Sequence, residues 1–221
     1  MDVRPHGPER IPTSRDGAGP WYTVCRFLAQ WVYSGLFGIR VYGRRNVPRR
    51  GPVILASNHQ SFLDPVAVGL GLPRPIHIMA RASLFRNALF RLLIESLNAF
   101  PVARGSADLG AIHEAIERLI DGRQLLLFPE ATRTRTGDIG RLNPGVALMA
   151  HRAGAAVVPV TIDGAFECWP RDRKLFRTGK IRVMFGKPRR VESIARADLA
   201  RFLDDLRSTL VAQQEALRRM R

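Results

Sequence analysis

The sequence predicts an α/β fold: a mixed, largely parallel central sheet flanked by helices, with an amphipathic helix ahead of it. Three observations carry that expectation. Short apolar runs, such as residues 53–57 and 125–128, read as strands. Segments of helical periodicity alternate with them, the pattern of layered α/β domains. The chain has 221 residues and is 46% apolar, enough for one full core.

The elements follow in order. Residues 1–20 hold Pro5, Pro8, Pro12, Gly17, Gly19 and Pro20 among charges and lack an apolar run, so they read as a disordered leader without a signal peptide. Residues 21–38 form the first apolar segment. Arg26 and Gln30 interrupt it, and a span needs about 20 apolar residues. Trp21, Tyr22, Trp31 and Tyr33 are side chains that favour a membrane-water interface. The segment reads as an amphipathic helix lying in a membrane surface, in preference to one packed on the core. The remainder, residues 39–221, shows no repeat and no internal boundary. Strands are expected at 39–42, 53–57, 76–80, 100–102, 125–128, 157–162 and 181–185. Helices are expected at 85–97, 108–120 and 144–153, and from Asp198, as its cap, to about Arg218. In the second of these, Leu109, Ile112, Ile116, Leu119 and Ile120 recur at helical spacing, and Asp121-Gly122 stops it.

Charge is the unusual part of the composition. Lys and Arg number 35 against 19 Asp and Glu, a formal +16, and only Lys174, Lys180 and Lys187 are lysines. Such an excess favours anionic partners. Nucleic acid is disfavoured, because the arginines are scattered and no recognised binding motif appears. Cys25 and Cys168 are far apart and show no metal-ligand spacing, so no metal is expected and a reducing compartment is the default.

Of the five histidines, His59 stands apart. It follows the strand at 53–57, on a strand-to-helix turn of the kind that places side chains at a sheet edge. His6 lies in the leader, His113 on a polar helix face, and His77 and His151 lack a carboxylate placed to orient them. The segment Asn58-His59-Gln60-Ser61-Phe62-Leu63-Asp64 ends before Pro65. Asp64 reads in two ways: as the cap of a short helix at 65–70, or as a carboxylate that also orients His59. On a continuous helix the two would point about 140° apart, so the pairing requires the turn. A carboxylate on one ring nitrogen makes the other a better base. No Gly-x-Ser-x-Gly elbow supplies a serine, and Ser61 is too close in sequence to serve.

Three further segments follow: Phe100-Pro101-Val102-Ala103-Arg104, Phe128-Pro129-Glu130-Ala131-Thr132-Arg133, and Val157-Val158-Pro159-Val160. With the His59 segment, and in this order across residues 35–190, they resemble the glycerolipid acyltransferases, in particular the bacterial 1-acylglycerol-3-phosphate type. The resemblance implies His59 as general base on the acceptor hydroxyl and Asp64 as its orienting partner. It implies Arg104, Glu130 and Arg133 at the acceptor's phosphate end, and Pro159 at the donor site. It also implies acyl-CoA or acyl carrier protein as co-substrate, no further cofactor, and a peripheral or monotopic place on the cytoplasmic face of the cell membrane. Arginine suits phosphate, since its planar fork matches the oxygens. Glu130 suits a role of holding an arginine rather than touching phosphate.

Three alternatives stand beside lysophosphatidate as acceptor: another lysophospholipid, glycerol 3-phosphate or a lyso-aminolipid. A non-catalytic binder of anionic membrane is the alternative of another class. Residues Leu89, Phe90, Leu92, Leu93 and Ile94 are candidates for an acyl-chain tunnel or for ordinary core. One departure from the family pattern concerns Ala131, where Gly is usual. Ala costs nothing there if φ is negative, whereas a positive φ requires Gly.

Overall fold

The computed structural model describes residues 19–103 and 108–220. Most of the expected leader and Arg104 lie outside them. Seven strands form one sheet in the order β1-β7-β6-β2-β5-β3-β4. They are β1 Arg40–Tyr42, β2 Val53–Ser57, β3 Ile76–Arg81, β4 Ala99–Val102, β5 Gln124–Leu127, β6 Ala156–Asp163 and β7 Arg182–Phe185. Every neighbouring pair is parallel except β6 with β7. The mixed, largely parallel sheet is therefore as expected. β2, β5 and β6 are buried along their whole length, which is why each reads as a mostly apolar run rather than an alternating one.

Helices cover both faces. On one lie α1 (Pro20–Phe37) and α2 (Asp64–Leu70), which join a core containing Phe37, Leu55, Val68, Val160 and Phe185. On the other lie α4 (Leu109–Ile120), α5 (Gly145–Arg152) and α7 (Arg196–Arg219), around Ile54, Ile116, Leu125, Val157 and Leu206. The remaining helices are α3 (Ala88–Ser96) and the short α6 (Ala165–Cys168).

Four local expectations change. The segment 85–97 is not one helix: a 3-10 turn over Ala82–Arg86 ends at Asn87, whose side chain accepts from the Phe90 amide and starts α3 afresh. Asp198 does not cap α7, which begins two residues earlier after Ala195. In α4 the buried stripe is Ala111, Ala115, Ile116 and Leu119, whereas Leu109 and Ile120 are exposed. Asp108, by contrast, does cap α4 through the Ala111 amide; a bond from the Ala103 amide, and then that cap, hold its carboxyl below the usual range.

The fourth change concerns α3. Its apolar residues are not buried core. Leu89, Phe90, Leu92 and Leu93 are exposed, Leu89 to 80%, and α3 has no buried residue. In α1 only Tyr33 and Phe37 are buried, while Trp21, Phe27, Leu28 and Trp31 face outward. Trp21 Nε1 donates to Ser96 Oγ at 2.9 Å, which links the start of α1 to the end of α3. Among the described residues, no helix is long and apolar enough to cross a membrane.

Candidate active site

β2 and β5 are parallel neighbours, so the loops leaving their C-terminal ends meet at one edge of the sheet. His59 leaves β2 and Phe128-Pro129-Glu130 leaves β5. This is where open α/β sheets gather ligand sites. β4, which leads toward Arg104, ends on the same edge two strands from β5.

The turn after β2 is held on all sides by polar residues that interrupt an otherwise apolar region. Asn58 bridges to β6: its Nδ2 donates to Ile162 O at 2.9 Å, and its Oδ1 accepts from the Ile162 amide at 2.7 Å. Gln60 Nε2 donates to Gly137 O at 3.2 Å, and its Oε1 accepts from the Phe166 amide at 3.2 Å. Ser61 Oγ donates to Trp169 O at 2.7 Å, a structural bond that leaves it no nucleophilic part.

Asp64 is fully buried and sits at the first residue of α2, not at the cap position. Three donors converge on its Oδ2: His59 Nδ1 at 2.8 Å, the Gln60 amide at 2.6 Å and the Ser61 amide at 2.7 Å. The carboxylate folds back over the turn rather than forward onto its own helix, so capping does not compete with orientation. Tyr33 braces the same turn from α1, its hydroxyl donating to Leu63 O at 3.0 Å. Burial, with the charge of Asp64 second, raises the pKa of that hydroxyl and keeps it a donor.

With Nδ1 on Asp64, the proton of the neutral imidazole is on Nδ1, and Nε2 carries the lone pair. The His59 ring stacks on Phe128, centroids 3.9 Å apart and 17° from parallel, with 14% of the side chain exposed. It is fixed at both carboxylate and face, yet not fully covered. A ring held in this way can accept a proton at Nε2.

Glu130 holds the two loops together. Its Oε1 accepts from the His59 backbone amide at 2.9 Å and its Oε2 from the Gly140 amide at 2.8 Å. Its partners are backbone amides rather than an arginine. Burial raises its carboxyl pKa, against the opposing pull of those two bonds. The loop it closes is also clasped from α7: Gly137 O accepts from Gln214 Nε2 at 2.8 Å, and Arg207 donates to Ile139 O and Gly140 O. Arg133 lies over the Phe62 ring, with Cζ 3.5 Å from the centroid, beside the His59 turn. Arg135 is exposed.

Ala131 has φ +57°, the left-handed region, so the negative-φ alternative that would make Ala harmless does not apply. An L-residue there costs about 1–2 kcal/mol. Ala131→Gly is expected to raise stability by roughly 0.5–1 kcal/mol, since added chain entropy offsets part of the relief. A higher urea midpoint at unchanged slope is the expected reading; a lower midpoint contradicts it.

Asn58, Gln60, Phe62, Thr134 and Gln214 contribute to the site without having been singled out. Thr134 N donates to His59 O at 2.8 Å. Asn58 and Gln60 carried a signal, two amides flanking His59 just after an apolar strand; Gln214, in a distant helix, carried none. The other described histidines stay outside the site: Arg118 meets His77 Nδ1, His113 pairs with Glu117 on an exposed face, and His151 Nδ1 faces Val191 O. Among the described residues, no cluster of metal-binding side chains occurs.

Known proteins are similar to this chain in sequence and in fold. A family model described as acyltransferase matches residues 38–163. A 1-acyl-sn-glycerol-3-phosphate acyltransferase of Bacillus subtilis is 30% identical over 197 residues, which cover 89% of this chain and 92% of that protein. A protein of the same name from Borreliella burgdorferi is 32% identical over 143 residues, 63% of this chain and 56% of its own length. The crystal structure of the 1-acyl-sn-glycerophosphate acyltransferase of Thermotoga maritima matches with a TM-score of 0.75 at 24% identity, covering 90% of this chain and 80% of that one, a likeness of fold. The family model spans more than half of the sequence and includes the His59, Asp64 and Glu130 segments; with a relative aligned over nearly its full length, it shows that the chain belongs to the acyltransferase family and is an enzyme that transfers acyl groups.

Proposed function

We propose that the enzyme transfers an acyl group from acyl-CoA or acyl carrier protein to the free hydroxyl of 1-acylglycerol 3-phosphate, forming phosphatidate. The observation that carries this reading is the His59–Asp64 contact of 2.8 Å at a fully buried carboxylate, with 14% of the His59 side chain exposed. The names of the relatives support the acceptor.

His59 Nε2 takes the acceptor's hydroxyl proton as the oxygen attacks the thioester carbon. The carbon–oxygen bond forms, the carbon–sulfur bond breaks, and the proton passes from His59 to the departing thiolate. Asp64 stabilises the imidazolium between these steps. Glu130 sets the base against the loop that carries Arg133, and Arg133 binds the acceptor's phosphate. Arg104, which follows β4 in the sequence, serves the same end. Pro159, on β6, belongs to the wall of the donor site.

Both substrates carry chains that partition into lipid. The exposed apolar faces of α1 and α3 suit a seat on the cytoplasmic face of the cell membrane, with the basic surface drawn to anionic headgroups at roughly 1 kcal/mol per Arg or Lys near the lipid.

The test is thiol release from an acyl-CoA in micelles with a panel of acceptors. Release with lysophosphatidate, at one phosphatidate per thiol, is the expected result. Release with glycerol 3-phosphate or a lyso-aminolipid alone would reassign the acceptor. Arg133→Ala is expected to raise the KM for lysophosphatidate about tenfold, the loss of a charged hydrogen-bond pair. An unchanged KM would remove Arg133 from the phosphate site.

A further inference from the structure

We infer that Phe62 is a positioning residue: its ring is the platform that holds the Arg133 guanidinium for the acceptor's phosphate. The inference rests on the reading above that Arg133 binds that phosphate.

Phe62 lies inside the turn between His59 and Asp64, whose backbone is pinned by the Gln60 and Ser61 amides on Asp64. One side of its ring environment is Arg133, with Cζ 3.5 Å from the centroid. Another is Trp169, with ring centroids 5.3 Å apart and planes inclined by 50°. Trp169 is in turn tied to this turn by the Ser61 hydroxyl. The ring is thus braced from two segments, yet 48% of Phe62 is exposed. A core phenylalanine would be covered; a half-open ring beneath a cation at the edge of the site fits a platform.

The chemistry favours this division of labour. Stacking uses the face of the guanidinium and by itself consumes none of its N–H groups, which lie in the guanidinium plane and suit two oxygens of one phosphate. A long arginine side chain loses rotamer freedom on binding, and a platform removes part of that loss beforehand. The turn that carries the base therefore also sets the phosphate anchor. The acceptor's hydroxyl and phosphate are held in register by one short segment of chain.

The experiment compares KM and kcat for lysophosphatidate and for an uncharged monoacylglycerol in the same micelles. The proteins are wild type, Phe62→Leu, Phe62→Trp, Arg133→Ala and the double variant F62L/R133A. Leu keeps an apolar side chain and removes the π face. F62L is expected to raise the KM for lysophosphatidate about fivefold and to leave kcat within about twofold. F62W is expected to restore the wild-type KM. F62L is expected to add nothing once Arg133 is Ala, and to leave the KM for monoacylglycerol unchanged. Four results would overturn the inference: a wild-type KM in F62L, a loss in F62W equal to that in F62L, the same rise in KM for monoacylglycerol, or the same rise in the R133A background. A wild-type KM in R133A would overturn the phosphate reading itself and the platform with it. A raised KM in R133A beside a silent F62L would overturn the platform alone. Should F62L fail to fold, Phe62→Met carries the same expectations.

Discussion

Replacing His59 with Ala is expected to lower kcat by about 10²–10⁴-fold, which corresponds to about 3–5 kcal/mol of the barrier. The KM for the acceptor should change little, because the phosphate contacts assigned to Arg133 and Arg104 are untouched. The size follows from the site. Ser61 Oγ is committed to Trp169 O. The acceptor oxygen then depends on His59 for its activation. The fold should survive the change. The bonds that fix this point of the chain are made by the backbone, from His59 N to Glu130 and from Thr134 N to His59 O, and Ala keeps both. The side chain leaves behind a modest hollow against Phe128. Thermal unfolding and the kinetics of the same preparation check the two halves of this expectation together. A variant that melts like wild type and turns over at the wild-type rate contradicts it.

Asp64→Asn is expected to reduce kcat by about 10³-fold or more, by a different route. The amide has nearly the shape of the carboxylate, so α2 and the turn should remain. Oδ2 now accepts three N–H bonds at once, from His59, Gln60 and Ser61. An amide offers one oxygen without charge and an NH₂ that cannot accept. If the amide turns over, its NH₂ meets all three donors and forces the ring into the tautomer with its proton on Nε2, where the base is needed. If the oxygen stays on the ring, the imidazolium loses its counter-charge. Stability should fall by about 1–3 kcal/mol, the cost of weakened charged hydrogen bonds in a buried place. An Asn variant with full activity would show that the carboxylate only shapes the turn.

The sheet and the dyad were legible for related reasons. Strands buried on both faces leave continuous apolar runs, so β2, β5 and β6 could be placed within a residue or two. His59 and Asp64 lie in one short segment, and their pairing needs only the turn between them. The rest of the site is built at long range. The carboxylate of Glu130 reaches amides on two different loops, and nothing in the residues around it announces backbone amides rather than an arginine as its partners. Gln214 reaches Gly137 from α7. The backbone of Ala131 is set by its loop and not by its identity, so a positive φ could not be read from an alanine. Periodicity located the apolar helical stretch that contains α3 but could not say what its apolar face meets: Leu89 and Leu92 face outward although the pattern equally fits a core helix. Asn87 split that stretch because a side chain that accepts from the Phe90 amide restarts the helix, a local competition that an apolar pattern conceals.

The most direct test of His59 as the base is acceptor-dependent thiol release, followed in identical micelles for the wild type and for His59→Ala of matched stability. With His59 as the base, release requires lysophosphatidate, yields one phosphatidate for each thiol, and falls by about 10²–10⁴-fold in the variant. Release that continues at the wild-type rate without His59 would contradict it.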